Sequence, residues 1–229
     1  MIAAMFLAHL VGDFVLQWDR LARWKGRAWQ GVVAHGAIVW LVTWAVSAVF
    51  DRGWWPWALF IGVTHTLIDM APLTPAKRVP AFTRLVADQA VHSFVIVAAL
   101  AASGYLPASD ISAGLAGVAH DQRLQVVLLG YTFLTMPAWI LVEFGVYGLV
   151  AGTAPDMARA PNKYVGSLER ALITTCVLTG QFLLVPLVAA PRLVLEGAQV
   201  LGSQRTTVYL SEWLASVTLA VAVGLWLRQ

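Results

Sequence analysis

WQGVVAHGAIVWLVTWAVSAVF, residues 29–50, decides the fold. It holds no Asp, Glu, Lys or Arg, and His35 is its only ionisable group. About 20 mostly apolar residues in helical geometry cross the hydrocarbon core of a bilayer. Working outward, six further apolar segments cover roughly 2–17, 54–72, 82–103, 124–151, 164–188 and 206–227. The chain therefore reads as all-α, a polytopic transmembrane bundle of about seven helices. The first is short, so six full spans plus a short first helix fit equally well. Pro72, Pro75, Pro80, Pro107, Pro155, Pro161 and Pro191 punctuate the joints. The stretch 104–123 reads as an outer or re-entrant loop. We expect a single integral membrane domain over 1–229, with any site in the helices of 1–103 and supporting helices in 124–229.

Composition agrees with that class. Apolar residues make up 59% of the chain and charged residues 12%, with a mean hydropathy of +0.74. Soluble domains sit near half apolar and a quarter charged. The basic balance does not point to nucleic acid, because the positive residues fall in short loops between apolar segments. Cys176, the single cysteine, lies in an apolar run and can form no intrachain disulfide. The N-terminus lacks a basic leader and carries His9 and Asp13 where a signal peptide would be apolar, so the first helix is expected in the mature protein.

The loops orient the bundle. Arg20, Arg23, Lys25, Arg27, Lys77, Arg78, Arg159, Lys163 and Arg228 fall on one side; Arg52, Arg123, Arg192 and Arg205 fall on the other. Loops rich in Lys and Arg stay cytoplasmic. The expected location is the bacterial cytoplasmic (inner) membrane, with the N-terminus outside and the C-terminus cytoplasmic.

Within this frame one spacing recurs. His9–Asp13, His65–Asp69 and Asp88–His92 each set an imidazole and a carboxylate four residues apart, on one helix face. From the abundance of acids, a histidine should meet one at that spacing in about one case in ten. The charge-based topology brings all three pairs, with His35, to a similar depth in the cytoplasmic leaflet. Ionisable groups inside a membrane are costly and mark function by default.

Imidazole and carboxylate together suit Zn, Mn or Fe as divalent ions. Helix bundles build such sites from inward-facing pairs on several helices. The metal-ligand candidates are His9, Asp13, His35, His65, Asp69, Asp88 and His92, enough for one ion or for two bridged by an Asp. Some of the seven can instead orient the ligating histidines. Gln17, Lys25 and Arg78 stand near the expected mouth as substrate-binding candidates. Glu143 and Glu169 are the candidate catalytic bases. Trp18, Trp24, Trp29, Trp54, Trp55 and Trp57 flank apolar segments and read as interfacial anchors. His120 reads as a loop residue.

These residues resemble a known pattern. AHLVGDFVLQ at 8–17, HTLID at 65–69, DQAVH at 88–92 and VGSLERALI at 165–173 look like the motifs of a bacterial family of small integral membrane proteins of unknown function. Two positions depart from it: Met70, Ala71 and Pro72 stand where the family often has Lys, and Ala190-Pro191-Arg192 where it tends to Ala-Lys-Ser. The resemblance implies a membrane protein and carries no activity. HTLID is also similar to the His/Asp arrangement of membrane-bound metal-dependent hydrolases.

The expectation is an intramembrane metal-binding protein, a metal-dependent hydrolase of a lipid-linked or phosphorylated amphiphile at the cytoplasmic leaflet. Its partners would be membrane lipid and that substrate, with no nucleic acid. Two alternatives use the same residues. A proton- or metal-ion-coupled transporter would use the pairs as a relay, and a non-catalytic scaffold subunit would use them as buried contacts.

Overall fold

The computed structural model describes residues 1–71, 79–106, 123–151, 163–200 and 206–229. Among these the regular structure is helical throughout, with no strand. Helix α1 (Ile2–Leu10) runs into a π-helical turn, Val11–Val15, closed by Leu16 N–H donating to Val11 O at 2.8 Å. The chain then bends by 86° into the short α2 (Asp19–Lys25). Three long helices follow: α3 (Trp29–Phe50), α4 (Trp55–Met70) and α5 (Ala81–Ala102). Next come α6 (Arg123–Phe133), α7 (Met136–Val146, with a π turn over Tyr147–Ala151), α8 (Lys163–Leu178), α9 (Val185–Val200) and α10 (Thr206–Arg228).

Helices α3, α5 and α10 are each long and apolar enough to cross a membrane. The number rises to five if each bent pair, α1 with α2 and α6 with α7, makes one span. The described residues thus hold ten helices where the apolar segments suggested about seven. Three breaks account for the difference. The first apolar segment turns sharply after the π turn. The fifth bends by 46° ahead of Pro137, which cannot donate to the preceding turn. The sixth, expected as one helix over 164–188, stops at Gly180. There φ is +79°, and Gln181 N–H donates to Cys176 O while Gly180 N–H donates to Val177 O. That left-handed glycine closes α8 with a Schellman motif, and α9 starts anew.

The chain falls into two compact units, Met1–Arg78 with Arg84–Thr132, and Val79–Thr83 with Phe133–Gln229. In the first, an apolar core collects Met1, Ala4 and Met5 at the start of α1, Trp54 from the 3-10 turn ahead of α4, Ala58 and Ile61 from α4, and Ile96, Ala99 and Leu100 from the end of α5. Trp54, expected as an interfacial anchor, is buried in that core, whereas Trp18, Trp24, Trp29 and Trp55 are exposed. Small residues set the helix spacing, as in membrane bundles generally. A methyl group on Gly36 would run into Thr66 Oγ1, and one on Gly62 into the Trp40 side chain. Helices α3 and α4 therefore touch backbone to side chain beside His35 and His65.

In the second unit α8 and α10 close on each other at Gly224, where a Cβ would lie 2.7 Å from Val177 Cβ. Thr174 Oγ1 donates to Ala220 O at 2.8 Å across the same contact. Arg170, 2% exposed, secures the bend ahead of α7. It donates from Nε to Leu134 O at 2.8 Å, from Nη2 to Thr135 O at 3.1 Å and from Nη1 to Ser216 Oγ at 3.1 Å. One guanidinium thus ties together two carbonyls at the break and a hydroxyl of α10.

Candidate metal centre

At the end of the first unit opposite its apolar core, α1 with its π turn and the three long helices α3, α4 and α5 present polar side chains to one another. His9 comes from α1, Asp13 from the π turn, His35 from α3, His65 and Asp69 from the last turns of α4, and Asp88 and His92 from α5. The four histidines and Asp13 are buried, each 5% exposed or less. Asp69 is nearly as enclosed, and the Asp88 side chain is 40% exposed.

The π turn has a local cause and a local effect. It widens the helix by one residue, and Gly12 within it lets the backbone approach α3, since a Cβ there would lie 3.1 Å from Val39 Cα. Asp13 is thereby carried against α3, and its Oδ1 lies 3.0 Å from His35 Nε2 and 3.4 Å from His65 Nε2. π turns are rare and cluster at functional sites.

Asp69 is the second hub. Its Oδ2 lies 3.5 Å from His65 Nδ1, 3.8 Å from His35 Nε2 and 2.7 Å from Lys25 Nζ, while its Oδ1 faces His92 Nε2 at 4.0 Å. His65 sits in the middle, with ring centroids 5.8 Å from His9, 5.2 Å from His35 and 4.1 Å from His92.

The hydrogen bonds assign the roles of several ring nitrogens. His92 Nδ1 donates to the Asp88 carbonyl at 2.9 Å, so in the neutral ring Nε2 carries the lone pair. Gln89 donates from Nε2 to Asp13 Oδ2 at 3.0 Å and to Asp88 Oδ2 at 3.1 Å, so its Oε1 accepts from His9 Nε2 at 3.2 Å. His35 donates from Nε2 to Asp13 Oδ1. What remains is a set of buried nitrogens with no hydrogen-bond partner: His35 Nδ1, both nitrogens of His65, and His92 Nε2. The carboxylates near His65 lie 3.4 and 3.5 Å from its nitrogens, longer than a well-made hydrogen bond.

Three overlapping groups here can hold a metal ion, each with ligand atoms within 4.8 Å of one another: His9, Asp13 and His65; His35, His65 and Asp69; Asp69, Asp88 and His92. The groups are linked through shared members, His65 joining the first two and Asp69 the last two. Among the described residues three carboxylates face one ammonium, a net charge of −2 when the imidazoles are neutral. Burying unbalanced charge in an apolar bundle is expensive, and a divalent cation cancels this one.

The seven ligand candidates are thus brought together, and two of the three substrate candidates stand beside them. Gln17 Oε1 accepts from Lys25 Nζ at 3.2 Å. Arg78 and His120 lie outside the described residues. Glu143 and Glu169 belong to the second unit. There Trp139 Nε1 donates to Glu143 Oε1 at 3.2 Å, and Glu169 Oε2 binds Arg192 at 3.0 Å. Gln89 is the site residue that the spacing argument overlooks. An uncharged amide forms no acid–histidine pair, and its signal was its place beside Asp88 in DQAVH.

Residues 1–113 match the profile of a family described as a protein of unknown function (DUF3307), so every member of the cluster lies within that domain. VGSLERALI at 165–173 lies beyond the matched range. No curated protein and no solved structure matches the chain.

Proposed function

We propose that this domain of unknown function binds a divalent metal, Zn, Mn or Fe, among His9, Asp13, His35, His65, Asp69, Asp88 and His92. On this reading it is a metal-dependent hydrolase of a lipid-linked or phosphorylated amphiphile. It works at the cytoplasmic face of a bacterial inner membrane, in a bundle of about seven membrane segments with the N-terminus outside. One observation carries the metal. Buried imidazole nitrogens of His35, His65 and His92 lack hydrogen-bond partners while surrounded by carboxylates. Leaving a buried polar atom unmade costs about 1–3 kcal/mol, so a purely structural ion-pair cluster would have closed these contacts. Coordination satisfies one nitrogen of each ring, and Asp13 and Gln89 then act as the partners that hold the ligating rings.

The chemistry follows from the donor set. A bound divalent ion lowers the pKa of its water and polarises an attacked phosphoryl or carbonyl oxygen. Asp88 reaches solvent and is held by Gln89, which suits it to take the proton of that water. Glu143 and Glu169 are engaged within the second unit, which leaves Asp88 the better placed base. The exposed Trp18, Trp24 and Trp29, with Arg20, Arg23 and Arg27, surround α2 with side chains that favour an anionic headgroup at the interface.

The test is metal content after desalting of the detergent-purified protein, beside an Asp13→Ala/Asp69→Ala/Asp88→Ala variant. We expect metal in the parent and its loss in the variant; equal, near-zero metal in both overturns the reading. Release of phosphate or of a lipid from amphiphilic phosphate esters, abolished by EDTA and restored by Mn²⁺ or Zn²⁺, then tests the hydrolase.

A second reading has its own observation. His9, Gln89, Asp13 and His35 form an unbroken hydrogen-bonded run, and Gln89 extends it to the exposed Asp88, as a proton relay would require. A pH-dependent flux into proteoliposomes that disappears in Asp88→Asn would favour a coupled transporter over the enzyme.

A further inference from the structure

Among the described residues, Lys25 is the lysine that reaches into the cluster. Its ammonium lies 2.7 Å from Asp69 Oδ2 and 3.2 Å from Gln17 Oε1, with the side chain 23% exposed. The same Asp69 oxygen lies 3.5 Å from His65 Nδ1 and 3.8 Å from His35 Nε2. Those three residues are the middle one of the three ligand groups. A metal held by that group would draw on the oxygen that the ammonium already occupies.

The fold delivers this lysine deliberately. Helix α2 is set off by the 86° bend, and Lys25 is its last residue. A Cβ at Gly31 would run into the backbone of Trp24 and Lys25, so only glycine lets the end of α2 seat on the first turn of α3. Leu21, one turn earlier on the same face as Lys25, is buried and anchors the helix.

Charge decides how many ions the cluster accepts. Three carboxylates and Lys25 sum to −2, which one divalent ion neutralises. Two divalent ions would leave +2, or +1 with a bridging hydroxide, in a poorly hydrated space where uncompensated charge is costly. Without the lysine charge, three carboxylates, two divalent ions and a bridging hydroxide sum to zero.

We propose that Lys25 is a tethered cation that occupies the His35/His65/Asp69 position, restricting the cluster to a single divalent ion, and that removing its charge opens a second ion position. The proposal rests on the metal reading above. The test loads the full-length, detergent-purified chain with Mn²⁺, counts bound metal per chain after gel filtration and records the EPR spectrum. The parent protein should hold about one ion, with the signal of an isolated Mn²⁺. Lys25→Met should hold about two, with the exchange-coupled signal of ions about 3.5–4 Å apart. Lys25→Arg, which keeps the charge, should stay at one. A coupled signal in the parent overturns the proposal even if no variant folds, and so does a single ion in Lys25→Met. Both of those results leave the metal reading standing, whereas no bound metal in any form overturns the two together.

Discussion

Both units bury ionisable groups, and they do so in opposite ways. In the second, the Arg170 guanidinium spends its donors on Leu134 O, Thr135 O, Ser167 Oγ and Ser216 Oγ. Arg192 there joins Glu169 and Glu196 at 3.0 and 3.1 Å and offers its own carbonyl to Tyr209. In the first, four histidines and three aspartates stand within contact range while several ring nitrogens remain open. A largely satisfied network, in which Glu169 Oε1 is still without a partner, holds helices together. An unsaturated one, equally buried, is held in place by its surroundings and waits for something to bind.

The largest effect should separate the two regions. Arg170→Met keeps the apolar stem but removes the hydrogen bonds to Leu134 O, Thr135 O, Ser167 Oγ and Ser216 Oγ. Hydrogen bonds to charged groups are worth about 1.5–3 kcal/mol each, so a loss of at least about 3 kcal/mol is expected, seen as a large drop in the thermal midpoint in detergent. His65→Ala removes a ring whose contacts to carboxylates are no shorter than 3.4 Å and should cost the metal-free protein far less. If the two variants destabilise equally, the contrast between a structural and a binding network fails.

Metal should narrow that gap. A ligand at a hundredfold its Kd stabilises the state that binds it by about 2.7 kcal/mol. The parent protein should therefore gain several degrees in its thermal midpoint on addition of Zn²⁺ or Mn²⁺. Arg170→Lys, if folded, should keep that gain and His65→Ala should lose it. An equal shift in His65→Ala would place the ion elsewhere.

Gln89 gives a smaller and more specific effect. It supports Asp13, Asp88 and His9 at once without being a candidate ligand. Loss of such a supporting residue typically weakens metal binding 10–100-fold. Gln89→Leu should do so by isothermal titration, with unchanged stoichiometry. A change in stoichiometry would instead make the amide oxygen a ligand.

How much of this was legible follows from chain distance. The three four-residue spacings, and His35 inside a 22-residue apolar helix, could be read directly because a helix puts such residues on one face. Gly36 and Gly62 explain how α3 and α4 bring His35 against His65, a contact that no periodicity encodes. The Lys25–Asp69 pair joins residues far apart in the chain through an 86° bend, so the sequence marks Lys25 as a substrate-binding candidate at the mouth and not as the partner of Asp69. The break at Gly180 was hidden for a different reason. Both halves of 164–188 are apolar, and only a positive φ ends the helix between them.

The smallest effect tests whether the π turn matters to the site rather than to the fold. At Gly12 an alanine gains roughly 0.5–1 kcal/mol of helix preference over glycine. Against that, its Cβ would lie 3.1 Å from Val39 Cα and 3.3 Å from Val39 Cγ2, so the turn must retreat from α3 by a few tenths of an ångström. Overpacking of this kind costs about 1–3 kcal/mol, which leaves a modest net loss of about 1 kcal/mol. Asp13, the next residue, is the one that retreat would displace from His35 at 3.0 Å and His65 at 3.4 Å. Gly12→Ala should therefore lower metal affinity measurably while shifting the thermal midpoint only slightly. If affinity and stability fall in proportion, the π turn serves packing alone, and Asp13 owes its position to the bundle as a whole.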